Sequence, residues 1–211
     1  MSIVRRTLLG LLLAAAGGSA VADEAVEDGR DLQNWSRKYD HHFAKYSKRY
    51  FGPRFDWTWF KAQAIAESRL IPSARNPSGA RGLMQIMPAT FGEIRRANPE
   101  MANVDEAHWN IAAGIWYDRY LYDRWERFIA EERLYFTFAS YNAGLGGIRS
   151  VLRKTGRVRT WDAAEAHAPE QTRHYVRRIQ RLKQREVVLQ TEPRPRGVMK
   201  PLAQVATAVK S

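Results

Sequence analysis

The sequence predicts one mainly α domain of about 150 residues, large enough for a single hydrophobic core. Three observations predict it. Apolar side chains recur three and four residues apart over much of the chain, the period of a half-buried helix. Alternating strand patterns are nearly absent. Helix-starting and helix-stopping residues also punctuate the periodic segments.

Residues 1–22 stand apart from that domain. Arg5-Arg6 precede an apolar run from Leu8 to Ala16, and Ala20-Val21-Ala22 ahead of Asp23 forms a small-residue cleavage site, the pattern of a secretory leader. The run is too short, and too soon broken by Gly17-Gly18, for a spanning helix. A periplasmic or secreted chain cut near Ala22, without a stable membrane anchor, is therefore expected. The absence of cysteine excludes lipoprotein attachment, disulfides and thiolate metal sites.

Within residues 23–56, Arg30 to Tyr50 places Leu32, Trp35, Tyr39, Phe43, Tyr46 and Tyr50 three or four apart, and Gly52-Pro53 closes the segment. This predicts an N-terminal amphipathic helix packed on the domain. The spacing suits core packing better than a sugar-binding aromatic platform. Trp57 to Arg69 carries Phe60, Ala64 and Ile65 at helical spacing, with Asp56 or Thr58 as N-cap. Pro72 disfavours a helical Ile71, so this helix should stop at about Leu70 and leave Glu67 in its last turn.

A carboxylate there faces the negative end of the helix macrodipole. Apolar cover would raise its pKa further, as a general acid needs. On residue types alone the same pattern also describes a solvated helix terminus. The turn formers Asn76-Pro77-Ser78-Gly79, and then Gly82, let the chain double back on Glu67. No second acid lies between Glu67 and Pro88, and Glu93, Asp105 and Glu106 fall in segments that read as exposed.

Further on, Asn110 can cap a helix running to about Trp125, with Ile111, Ile115, Leu121 and Trp125 as its apolar stripe. Glu131-Glu132 suit the first turn of another, which carries Leu134, Phe138 and Tyr141. Pro169 can open the last at its first position. From residue 190 to Ser211 proline, arginine and glycine replace apolar periodicity, which predicts a flexible basic tail.

The chain has 34 Lys and Arg against 22 Asp and Glu, a charge of +12; cleavage after Ala22 removes Arg5 and Arg6. Such a chain is drawn to polyanions in a salt-dependent way. The basic run Arg173 to Arg185 is the best case for nucleic acid, but it carries no recognisable nucleic-acid motif and the leader directs the protein away from the cytoplasm. No nucleic-acid partner is expected. His41, His42, His108, His167 and His174 show no metal-ligand spacing, and adjacent His41 and His42 should face different ways on a helix. No metal and no cofactor are assigned.

Four blocks in order carry a resemblance. They are Glu67-Ser68 with Pro72, Ala74, Gly79-Ala80, Gly82-Leu83-Met84-Gln85 and Pro88 to Thr90; Asn110-Ile111 with Gly114 and Tyr117; Ala139 to Gly144; and Gln171 to Val176. Together they resemble the goose-type-lysozyme-like catalytic domain of the soluble lytic transglycosylases; the likeness spans about Trp57 to Ile179, within an expected catalytic domain of residues 57–189. The resemblance implies a lysozyme-like fold and cleavage of the β-1,4 bond between N-acetylmuramic acid and N-acetylglucosamine in peptidoglycan, leaving 1,6-anhydromuramic acid ends. Glu67 would protonate the leaving oxygen and then, as carboxylate, take the proton of the sugar's own C6 hydroxyl. An internal nucleophile removes the need for the second carboxylate that ordinary glycosidases use.

The same resemblance makes Asn76, Met84, Gln85, Tyr141, Asn142 and Tyr175 the candidate substrate-binding residues. Gln85, Tyr141 and Asn142 would line the cleft, and Met84 would serve as a wall. Asn76 stands where Ser is common, which alters the reach of a contact to Glu67. Peptidoglycan strands are the expected partner, with envelope secretion or wall-remodelling proteins as further candidates. A hydrolytic muramidase using the same acid, and a non-catalytic peptidoglycan-binding assembly protein, are the alternative functions.

Overall fold

The computed structural model describes residue 31 and residues 35–156 and 158–191. The leader, Leu32 and residues 192–211 of the expected tail lie outside the described residues. Eight α-helices follow in order within them: α1 Asp40–Phe51, α2 Thr58–Ser68, α3 Pro88–Ala97, α4 Ala107–Tyr122, α5 Ala130–Ala143, α6 Leu145–Thr155, α7 Trp161–Glu165 and α8 Glu170–Thr191. A short 3-10 turn, Asp123–Trp125, follows α4. The described residues hold no sheet, only the isolated bridges Arg75 to Arg81 and Arg81 to Ile86.

The centre of the fold is α2. It packs on α8 and α1, while α4 packs on α1 and α5, and α5 on α6 and α8. A helix so enclosed is buried on nearly every side, and Phe60, Ala62, Ala64 and Ile65 have no exposed surface. Its N-cap is Trp57 rather than Asp56 or Thr58, but Asp56 just before it supports the first turn, its Oδ1 accepting from both the Thr58 amide (3.0 Å) and the Thr58 hydroxyl (2.6 Å). Polar residues on such a helix need partners. Buried Lys61 finds Asp40 at 3.0 Å and Glu186 at 2.8 Å, so one cation clamps α1 and α8 onto α2.

Several expected elements differ in extent. The segment expected to be one helix from Arg30 to Tyr50 is interrupted: Asp31 is helical, residues 35–39 are not, and α1 begins at Asp40. The Ser36 hydroxyl accepts from the Lys38 amide at 3.2 Å, a local bond that competes with helix pairing. Trp35, Tyr39, Phe43 and Tyr46 are nonetheless all buried in the core. His41 and His42 do not face different ways, because their ring centroids lie 3.7 Å apart.

Asn110 is not a cap: α4 begins three residues earlier, at Ala107. Helix α8 continues to Thr191, past residue 190, because the first breaker is Pro193 with its restricted neighbour Glu192. Helices α3, α6 and α7 were not expected. Pro88 sits at the start of α3, Gly146-Gly147 weaken the propensity of α6, and α7 is only five residues long. No helix of the described residues is long and apolar enough to cross a membrane.

Candidate active site

Glu67 lies in the last turn of α2, one residue before its end. The helix does not run on to Pro72. Arg69 and Leu70 adopt left-handed backbone, with φ of 53° and 58°, and the Arg69 amide closes the turn on the Ile65 carbonyl at 2.9 Å. Non-glycine residues visit that region at a cost, so tertiary contacts must hold them there. Ser68 supplies one, its hydroxyl lying 2.9 Å from the Leu83 carbonyl and 3.2 Å from that of Ala64. The helix end is thereby fastened to the returning loop.

That loop is built from short backbone bonds. Asn76 Oδ1 accepts from the Ala80 amide (2.8 Å). Arg81 and Ile86 exchange amide-to-carbonyl bonds of 3.0 and 2.9 Å, and the Gly82 amide donates to Ala74 (2.9 Å). Gln85, with φ of 44°, turns its side-chain amide inward and donates to the Gly82 carbonyl (2.9 Å) and that of Ala74 (3.3 Å).

A buried asparagine locks the loop to α4. Asn110 accepts from the Met84 amide (2.7 Å) and donates to the carbonyls of Arg81 (2.8 Å) and Val104 (3.0 Å). Its neighbour Gly82, at φ +76°, has no room for a β-carbon, which would collide with the Asn110 amide. One turn along α4, Gly114 leaves the space that the Met84 side chain fills; a β-carbon there would sit 2.7 Å from Met84 Cγ.

Two tyrosines close over the acid. Tyr175 on α8 donates its hydroxyl to Glu67 Oε1 at 2.5 Å. Tyr141 on α5 donates to the Met84 carbonyl at 2.7 Å and is close enough to feel the charge of Glu67. Burial drives both phenols well above their ordinary range, with the Glu67 charge adding to it. They are neutral donors at any working pH.

Glu67 itself is enclosed by protein yet keeps part of its surface open to solvent. Burial pushes its pKa up from 4.5 to about 7, against the opposing pull of the Tyr175 hydrogen bond and of the Arg178 charge. Near neutrality the group is thus divided between acid and carboxylate.

The expected site residues therefore separate. Glu67, Tyr175 and Tyr141 come together. Met84 has no exposed surface, so it belongs to the floor under the loop. Gln85 is 6% exposed and spends both amide hydrogens on the loop. Asn142 accepts from the Thr172 hydroxyl at 2.8 Å, joining α5 to α8. Asn76 bonds locally, and Tyr175 is the hydrogen-bond partner of Glu67.

Three residues near the site were not anticipated. Asn110, a cap candidate by its place before an apolar run and a member of one resembling block, instead locks the loop to α4. Arg178 lies in the basic run Arg173 to Arg185, but it is 7% exposed, grips Asp31 through Nε and Nη2 (2.8 and 2.9 Å) and donates to the Ala66 carbonyl (3.1 Å). Its position three residues after Tyr175 was the available signal. The third, Asp118, is a second buried acid, with no exposed surface.

Residues 45–164 match the sequence profile of the transglycosylase SLT domain, more than half of the chain. The chain belongs to the transglycosylase SLT domain family. It is similar to membrane-bound lytic murein transglycosylase F of Vibrio campbellii, 31% identical over 156 residues that cover 69% of this chain and 27% of the relative. It is 35% identical to the protein of the same name from Pasteurella multocida over 117 residues, 54% of this chain and 22% of that one. The chain spans about a quarter of the length of such relatives. The solved structure of the 70 kDa soluble lytic transglycosylase of Escherichia coli superposes with a TM-score of 0.62 at 26% identity, over 75% of this chain and 25% of that one. The domain is accordingly lysozyme-like.

Proposed function

We propose that this chain is a peptidoglycan lytic transglycosylase in which Glu67 acts first as acid and then as base. The observation that carries the reading is Glu67 at the end of α2 with the Tyr175 hydroxyl on its Oε1, its carboxyl raised by burial to about 7 on a residue that is only partly buried, in a chain of this family. An acid poised at the working pH gives up and regains a proton at similar cost, which suits one residue to both roles.

The Tyr175 hydroxyl already occupies Oε1, so the transferable proton belongs on Oε2. Glu67 gives it to the oxygen linking the two sugars as the bond from that oxygen to C1 breaks. The positive charge developing at C1 is met by the sugar's own N-acetyl oxygen. The C6 hydroxyl then attacks C1 and loses its proton to Glu67, restoring the acid. No water is consumed and no proton is gained or lost over the cycle. The Tyr175 hydrogen bond strengthens when Glu67 becomes a carboxylate, so it stabilises the charge that the first step creates.

Four arginines, Arg124, Arg127, Arg149 and Arg153, surround a cavity of about 370 Å3 between the turn after α4 and α6. They provide positive charge for the carboxylates of peptidoglycan stems.

Digestion of purified sacculi followed by mass spectrometry tests the reading. The expected product ends are lighter by one water than a reducing muramic acid. Reducing ends throughout would transfer the chain to the hydrolytic class, and no soluble product would leave only binding.

A second experiment tests the tyrosine. Removing its hydroxyl in Y175F takes away a bond that favours the carboxylate, so the alkaline limb of the pH profile should move upward by about one unit. The maximal rate should fall as the new charge loses its donor. An unmoved limb would remove Tyr175 from the acid's immediate partners.

A further inference from the structure

Asp118 and Gln63 are both fully buried, one on α4 and the other a single turn before Glu67 on α2. They meet through one hydrogen bond, from Gln63 Nε2 to Asp118 Oδ1 at 3.2 Å. The remaining oxygen of each, Gln63 Oε1 and Asp118 Oδ2, is buried with no hydrogen-bond donor. Two buried acceptors without donors on a directly bonded pair are costly. The groups that bear on Asp118 are Gln63 and the like charge of Glu67. A single proton on Oδ2 resolves both vacancies, since a carboxylic acid and a primary amide are complementary: N–H to one oxygen, O–H back to the other.

We propose that Asp118 is a positioning residue that permanently carries a proton, locked to Gln63 by two reciprocal hydrogen bonds that fix the turn of α2 bearing Glu67. The role in catalysis rests on the function proposed for Glu67; the protonation and the pairing do not. Of two carboxyl groups in one interior, Glu67 sits on a partly exposed residue and has the Tyr175 hydroxyl and the Arg178 charge to stabilise its anion. Asp118 has none of these. The groups facing it are Gln63 and Glu67 of α2, Tyr141 of α5, Tyr175 of α8 and Tyr117 beside it on α4, all neutral or negative. Once Glu67 ionises, its charge opposes a second ionisation at Asp118. The arrangement keeps the site a one-carboxylate site even though two acids are present.

The test is D118N, whose amide can make the same two bonds. Burial raises the Asp118 carboxyl in the folded protein above its unfolded value. Wild-type stability on this count is therefore full below about pH 4 and declines as pH rises toward the folded value. The asparagine variant escapes that decline. Thermal unfolding should show D118N matching wild type near pH 4 and gaining on it steadily through neutral pH, while the midpoint of the alkaline limb of activity stays where it is in wild type.

Two results would overturn the proposal. One is an advantage for D118N that reaches its plateau below about pH 6 or turns into a deficit, either of which means a charged Asp118 in the working range. The other is an alkaline limb shifted to lower pH, which means that the Asp118 charge had been holding up Glu67. If D118N fails to fold, carbon-13 spectra of aspartate-labelled wild type decide: one carboxyl resonance must stay at its protonated position through pH 8, and titration of all of them by about pH 6 would reject the idea. The unfolding and carbon-13 readouts need no substrate, so they stand even if the chain proves inactive on peptidoglycan.

Discussion

E67Q should lose turnover by about a thousandfold or more while becoming more stable than wild type above neutral pH. The first effect follows from chemistry, because an amide has no proton acidic enough to give to a glycosidic oxygen, and acid catalysis is commonly worth about 10²–10⁴-fold. The second follows from the same burial that makes the acid useful. The folded pKa is raised from 4.5 to about 7, so ionising Glu67 in place costs stability. That stability is fully present below about pH 4.5 and is lost as pH rises through 7.

Glutamine is neutral at every pH and its Oε1 can still accept from Tyr175. The variant should therefore match wild type at about pH 4 and exceed it at about pH 8 by up to about 3 kcal/mol, several degrees in Tm for a chain of this size. Thermal unfolding of both proteins at the two pH values, beside a sacculus assay, reads both effects. Equal unfolding temperatures at both pH values would mean that the carboxylate is not held against its preference.

N110L should be the most destabilising substitution near the site that removes no catalytic group. Leucine has the same branching but is larger, and it can neither accept from Met84 nor donate to Arg81 and Val104. One buried amide and two carbonyls lose their partner. At about 1–3 kcal/mol for each group left unsatisfied, with some relaxation, a total of about 3–5 kcal/mol is expected.

Activity should fall with it, because the loop that Asn110 holds also supplies the Met84 carbonyl that receives Tyr141 and the Leu83 carbonyl that receives Ser68. Denaturant unfolding measures the first effect and fragment release the second. N110D refines the test: it keeps the acceptor for Met84 but cannot donate to two carbonyls, so it too should be impaired, and more so as pH rises and it ionises. A loss below about 0.5 kcal/mol in N110L would mean that the loop is held by other contacts.

Local signals placed Glu67 at a helix end, and the resemblance of the four blocks supplied its role. Helical spacing, Pro72 and the turn formers around Asn76 place an acid at a helix end without knowledge of the tertiary fold. The aromatic spacing between Trp35 and Tyr46 told which side chains enter the core, although not where α1 begins, since core burial continues through residues 35–39 that are not helical. Asn110, Gln63, Asp118 and Arg178 were hidden for a different reason. Each is a polar residue whose burial is made tolerable by a partner far away in sequence: Asn110 by the loop 26 to 29 residues earlier, Asp118 by a residue 55 earlier, Arg178 by one 147 earlier. Local pattern assigns such residues to caps or solvated faces, and only the fold brings their partners to them.

The burial that leaves Glu67 half ionised near neutrality also explains why the two tyrosines matter as neutral donors and why Asp118 must stay silent. The most direct test is the titration of that one carboxyl group by carbon-13 resonance in glutamate-labelled protein, with the signal assigned by its absence from E67Q. A midpoint near 7 that coincides with the alkaline limb of activity is the predicted result. A midpoint at or below the ordinary value of 4.5 would contradict it, because the group would then be a spent carboxylate at the pH where it must donate.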